Sequence, residues 1–164
     1  MLLPRRRLAA AERSARHLRM DSLTKAERSE RMSRVRQRGT DLERRLRSAL
    51  RARGLRYRAN VRLPGTPDIA IADGKIAVFV DGCFWHGCPQ HGTMPKTNRT
   101  FWQKKIIRNR ERDAEVDAAL RNLGWIAVRV WQHDIKTSTD DVVDKLSVLA
   151  ARRLSSSRRR RKRP

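Results

Sequence analysis

The chain has 164 residues, enough for one hydrophobic core and too few for two ordinary domains. Lys and Arg number 40 against 17 Asp and Glu, and the formal charge of +23 points to a polyanionic partner such as nucleic acid. No run approaches the roughly 18 apolar residues of a membrane span, and residues 1–7 lack the apolar stretch of a signal peptide, so a cytoplasmic protein without membrane contact is expected.

The ends hold part of the charge, +5 over residues 1–20 and +6 over 155–164, and the remaining +12 lies between them. Residues 1–20 are rich in Arg and Ala without an apolar period and read as a disordered basic extension, with Met20 as an alternative start. Residues 155–164, three serines followed by a basic run, read as a disordered tail that adds nonspecific DNA affinity. The folded domain is then 21–154.

Within it, Thr40-Asp41-Leu42-Glu43 is a capping box, and Leu42, Leu46, Ala49 and Leu50 form one apolar stripe before a stop at Gly54. Residues 56–61 read as a strand, Pro64-Gly65 as a turn, and 68–72 and 75–80 as strands joined by the hairpin signal Asp73-Gly74. A loop rich in Gly, Pro, Cys and His follows over 81–99. Thr100 with Gln103 makes a second capping box, opening a helix to about Leu123 that stops at Gly124. Residues 125–131 form an apolar strand, and Val142, Leu146, Leu149 and Ala150 set the inner face of a last helix ending near Leu154. The order α-β-β-β-α-β-α predicts a three-layer α/β/α sandwich around a small mixed sheet.

The two cysteines, Cys83 and Cys88, share one short loop, where a disulfide would close a tiny ring and stabilise little. With His91 they put three zinc ligands within nine residues, and His133, just past the end of the 125–131 strand, supplies the fourth that a tetrahedral structural site needs. His86 is the competing ligand for the place of His91.

Asp68 opens one strand and Val80-Asp81 closes the next, so both strand ends offer oxygen to Mg²⁺, which favours carboxylate and carbonyl ligands. His86, five residues beyond Asp81, is a candidate acceptor for a proton from attacking water, because a histidine side chain can exchange a proton near neutral pH. In the long helix the inward stripe runs Ile106, Asp113, Leu120, with Asn109 beside Asp113; a carboxylate there is either paired with an arginine or part of a catalytic site. Glu43 has its capping role and faces the same sheet edge. Phe84-Trp85 lies in a polar, Gly-flanked loop with little core to fill, which suits stacking on bases; packing of Trp85 on Trp102 is the alternative.

Leu63-Pro64-Gly65-Thr66-Pro67-Asp68-Ile69, the run from Phe79-Val80-Asp81-Gly82-Cys83-Phe84-Trp85-His86-Gly87-Cys88 to His91, Lys96-Thr97-Asn98, Phe101-Trp102, Asn109-Arg110-Glu111-Arg112-Asp113 and Gly124-Trp125 resemble the very short patch repair (Vsr) endonuclease family over about 21–152. The resemblance implies a restriction-endonuclease-like core with one structural zinc, and a nick in one DNA strand 5′ to the thymine of a T:G mismatch left by deamination of 5-methylcytosine. It aligns Asp68 with a catalytic Mg²⁺ ligand, Val80 with the residue lending a main-chain carbonyl to that ion, His86 with the catalytic histidine, and Asp113 and Glu43 with the acidic residues completing the site. Phe84, Trp85 and Trp102 match aromatics that wedge into the base stack, and Met32 a residue inserted from the minor groove. It further implies a monomer in the bacterial cytoplasm, bound at the nucleoid, with a MutL-type mismatch-repair partner. Two departures stand out: His133 occupies a zinc position often held by cysteine, and Asp81 a position where some relatives carry histidine. The competing readings are a restriction-type or mobile-element nuclease on the same core and a non-catalytic zinc-stabilised DNA-binding module.

Overall fold

A computed structural model describes Glu30 and residues 39–161, and everything structural below concerns these. Helix α1 (Asp41–Ala52) starts where expected: the Thr40 hydroxyl accepts from the Glu43 amide, and the Glu43 carboxylate reaches back to the Thr40 amide. Leu46 and Leu50 are fully buried, each worth about 1.5–3 kcal/mol in area removed from water. Gly54, at φ +77°, ends the helix; the amides of Gly54 and Leu55 return to the carbonyls of Arg51 and Leu50.

Three strands make the sheet, in the order β1 (Ile69–Ile71), β2 (Ile76–Asp81), β3 (Ile126–Trp131). β1 runs antiparallel to β2, with Ile69 opposite Val78 and Ile71 opposite Ile76. β3 is parallel to β2, with Ile76 opposite Ile126 and Asp81 opposite Trp131. Parallel neighbours need a long crossover, supplied here by α2 (Arg99–Asn122). A short α3 (Gln132–Thr137) and a long α4 (Thr139–Arg161) complete the domain.

The two-residue period of β2 divides the core. Ile76 and Val78 face Leu46 and Leu50 of α1, Ile135 of α3 and Val142, Val143, Leu146 and Ala150 of α4. Ala77 and Phe79 face the opposite way, onto Leu120 of α2, with Val116, Leu63, Trp125 and Ala127 around them. Helices thus cover both faces of a small mixed sheet, the α/β arrangement expected.

Several boundaries are corrected. Residues 56–61 form no strand, only one bridge between Arg58 and Ala70, because Asn60 turns the chain into the left-handed region at φ +54°. The β1–β2 connection is a 3-10 turn over Ala72–Gly74 that leaves through Lys75 at φ +48°. The capping box at Thr100 does not form: α2 starts at Arg99 behind Asn98, a residue type that tolerates its φ of +53°. The segment after β3 is helical, and α4 starts three residues before Val142, where the Ser138 hydroxyl accepts from the Asp141 amide and Asp140 and Asp141 favour the helix N-terminus. α4 also continues to Arg161, so much of the segment expected as a disordered tail is helical, with the hydroxyls of Ser155 and Ser156 donating back to the Ala151 and Arg152 carbonyls. No helix among the described residues is long and apolar enough to cross a membrane.

Candidate active site and metal centre

The end of β2 and the start of β1 lie side by side, and there the amide of Val80 donates to Oδ2 of Asp68 at 2.8 Å. A strand residue directs its N–H and C=O to the same edge, so the Val80 carbonyl also faces the Asp68 side. Burial pushes the Asp68 carboxyl above the ordinary carboxylate range; the Val80 amide and Arg47 oppose this, while Glu43 and Asp81 add to it. Glu43 is almost fully buried beneath it. Arg47 joins the two, reaching Oε2 of Glu43 at 3.0 Å and the Asp68 carbonyl at 3.1 Å.

A second group gathers where the loop after β2 meets α2. His86 Nδ1 lies 2.6 Å from Oδ2 of Asp113, and His86 Nε2 lies 3.8 Å from Oδ1 of Asp81. An ionised carboxylate only accepts, so Nδ1 is the donor to Asp113 and Nε2 is the ring nitrogen left for other partners. Asp113 arrives on the inward stripe of α2 as expected, and Asn109, one turn earlier, donates to the Trp85 carbonyl at 2.8 Å. Arg129 of β3 reaches Asp81 at 3.1 Å, Asp113 at 3.3 Å and Asp117 at 3.0 Å, and lies over the Phe79 ring. Burial raises the Asp81 carboxyl, opposed by His86 and Arg129. Burial would lower the Arg129 guanidinium, but Asp117, Asp81 and Asp113 outweigh it and its pKa is raised.

Beside this group Cys83, Cys88, His91 and His133 place one ligand atom each within 4.8 Å of one another. Both thiols are buried and form no disulfide. Nδ1 of His133 lies 3.2 Å from the Cys83 sulfur and 3.7 Å from the Cys88 sulfur. Zn–S and Zn–N bonds of about 2.3 and 2.0–2.1 Å at tetrahedral angles give S···N edges of roughly 3.5 Å, so the set fits a zinc ion. Nε2 of His133 lies 3.2 Å from Oδ1 of Asp134, a carboxylate partner of the kind that fixes a ligating imidazole. His86 is turned to Asp113 instead and stands outside this set. Burial raises the Cys83 thiol, which without a metal favours its protonated form.

Phe84, Trp85 and Trp102 pack edge to face, with centroids 5.1 Å apart for Phe84 with either tryptophan and 5.8 Å between the tryptophans. Phe101, more than half exposed, abuts Trp102. Met32 lies outside the described residues.

A family described as DNA mismatch endonuclease Vsr matches residues 20–91. The type II nicking enzyme V.NaeI of Lentzea aerocolonigenes is 45% identical over 128 residues, covering 74% of this chain and 77% of its own. The type II nicking enzyme V.NmeDIP of Neisseria meningitidis serogroup C is 42% identical, covering 77% and 88% respectively. The chain belongs to the Vsr family. The DNA mismatch endonuclease Vsr of Escherichia coli (strain K12) is 38% identical over 113 residues, 66% of this chain and 70% of that one. This Vsr-family chain is therefore a DNA mismatch endonuclease.

Motif reading of this Vsr-family sequence missed Arg47, Arg129 and Asp117. Arg129 left a signal: an arginine inside the apolar run Ile126-Ala127-Val128-Arg129-Val130-Trp131 needs an anionic partner. Asp117, one turn after Asp113, supplies one. Arg47, one turn after Glu43, is the same pattern on α1.

Proposed function

We propose that this endonuclease nicks one strand of duplex DNA 5′ to the thymine of a T:G mismatch arising from deaminated 5-methylcytosine. The observation that carries the reading is the meeting of two chemistries at one sheet end: the anchored Asp68 carboxylate with the Val80 carbonyl at its side, and a histidine oriented by a carboxylate. Asp68 and the Val80 carbonyl would hold Mg²⁺, with Glu43 behind them; a bound ion supplies charge neutralisation and Lewis acidity at the phosphate.

His86 takes the proton of the attacking water at Nε2 while Asp113 steadies the ring through Nδ1. The water oxygen bonds to phosphorus, the opposite phosphorus–oxygen bond breaks, and the released sugar oxygen takes up a proton. Cys83, Cys88, His91 and His133 would hold a structural zinc that fixes the loop carrying His86. In this reading Phe84, Trp85 and Trp102 open from their cluster and stack on bases beside the mismatch, with Met32 entering from the other groove. A wobble pair stacks poorly and opens at low cost, so a wedge of this kind favours it.

The test is incubation with Mg²⁺ of 5′-labelled duplexes that are either matched or carry T:G at positions where cytosine methylation occurs. One product, cut 5′ to the mismatched thymine, is expected. Cutting of both strands of a matched duplex, or binding without cutting, overturns the reading.

A further inference from the structure

The His86–Asp113 pair does not stand alone. Asp113 presents Oδ2 to His86 and Oδ1 to Arg129, so one carboxylate is gripped from both sides. The guanidinium also donates to the main-chain carbonyl of Asp113 at 3.2 Å, and it continues to Asp117 one turn along α2. Two points of attachment on one helix turn fix the rotation of α2 about the site. On its other side Arg129 holds both oxygens of Asp81, at 3.3 and 3.1 Å.

That last contact has chemical weight, because Asp81 is the one carboxylate near the working nitrogen of His86 among the described residues. At 3.8 Å it is outside hydrogen-bonding distance of Nε2. Freed from Arg129, a small side-chain rotation would close the gap. The Asp81 side chain would then occupy the approach to Nε2 that the attacking water needs, and Asp113 would lose the tether that holds it against Nδ1.

We propose that Arg129 is a positioning residue of the nicking reaction: it holds Asp113 against Nδ1 of His86 and restrains Asp81 from Nε2, leaving that nitrogen open to the attacking water. The proposal rests on His86 being the proton acceptor. The guanidinium suits the task because its planar fork grips several oxygens at once and stays charged when buried, where an ammonium would hold one or two. The carboxylates of Asp117, Asp81 and Asp113 outweigh its burial and keep it protonated.

The experiment measures single-turnover nicking of a T:G duplex and, separately, equilibrium binding of the same duplex, for zinc-loaded Arg129→Met, Arg129→Met with Asp81→Ala, Asp117→Asn and His86→Ala. Arg129→Met is expected to slow nicking by about 10²-fold, the scale of a misplaced catalytic group, with DNA affinity within about twofold of the parent. Removing the intruding carboxylate in the double variant is expected to recover about tenfold of that loss, which a merely structural defect would not allow. Asp117→Asn, at the solvent side of the cluster, keeps the test open if Arg129→Met does not fold, and is expected to slow nicking several-fold. Nitrogen NMR of His86 provides a readout independent of activity, with a single Nδ1–H tautomer expected in the parent and a mixture of the two tautomers in Arg129→Met. Parent-like rates in the Arg129 or Asp117 variant, or a double variant no faster than the single, overturn the proposal while a slow His86→Ala leaves the reading of His86 standing. A fast His86→Ala overturns both.

Discussion

The main-chain amide of Val80 and the carboxylate of Asp68 are tied by a 2.8 Å hydrogen bond between the end of one strand and the start of its antiparallel neighbour. The bond fixes one oxygen of Asp68 and leaves the other for a ligand. Asp68→Ala should abolish Mg²⁺-dependent nicking while leaving DNA affinity unchanged or improved, since it deletes a metal ligand and also a negative charge facing phosphate. Gel assays of cutting alongside anisotropy of binding separate the two effects, and retained cutting contradicts the assignment.

The same carboxylate carries a pH signature. Its folded-state pKa is raised by burial, so between about pH 4 and that raised value the folded chain keeps a proton that the unfolded chain has lost. Its contribution to stability therefore falls as pH rises through this window and stays low above it. In chelator, Asp68→Asn should melt higher than the parent at neutral pH, with the advantage vanishing below about pH 4, where both side chains are neutral. An advantage that persists unchanged at low pH would point to some other origin.

His86→Ala is expected to cost about 10²-fold or more in nicking rate with zinc content intact, the size typical of a positioned proton acceptor. Metal analysis of the same preparation decides a structural question too. Loss of zinc would mean that His86, rather than His91, ligates it.

For the cysteine and histidine cluster, purified protein should carry one zinc per chain, and Cys83→Ser, Cys88→Ser or His133→Ala should each remove it and loosen the 81–99 loop. Burial favours the protonated Cys83 thiol in the absence of metal, so zinc uptake should release protons and its affinity should fall as pH is lowered. A pH-indicator titration of zinc into stripped protein reads this directly; uptake without proton release counts against thiolate ligation.

The aromatic cluster makes a prediction about discrimination. Replacing Phe84, Trp85 or Trp102 with Ala should lose part of the ~1–3 kcal/mol of stacking per ring, more for the mismatched duplex than for matched DNA. Removing residues 155–164 should instead weaken both duplexes alike and flatten the salt dependence, because phosphate contacts carry no sequence information. Aromatic variants that discriminate as well as the parent would assign the rings to packing alone.

What could be read from the sequence and what could not divide along physical lines. Thr40 with Glu43 and the glycines Gly54 and Gly124 are local signals, and α1 and the end of α2 fall where they predict. Asp113 was visible because a carboxylate interrupted an otherwise apolar helical stripe, and the structure brings it to His86. Local rules failed where backbone conformation outweighed composition: Asn60 ends the pairing of a segment with strand-like residues, and Asn98 displaces the Thr100 cap. Arg129 was missed because its partners come from β2 and α2, and no spacing along one element reveals a contact made across three.

The juxtaposition of Cys83 with His133 also bears on the order in which the chain assembles. Cys83, Cys88 and His91 are neighbours in sequence and can hold an ion before the domain forms, whereas His133 lies fifty residues from Cys83, beyond the whole of α2. Its arrival closes a long loop, and a cross-link of that span removes roughly 4 kcal/mol of chain entropy on the scale used for disulfides. An ion already seated on the local trio turns that closure into a single ligand exchange. Refolding from denaturant would then run faster with zinc present from the start than with zinc added late, and the His133→Ala chain would lose the acceleration while keeping weak metal binding.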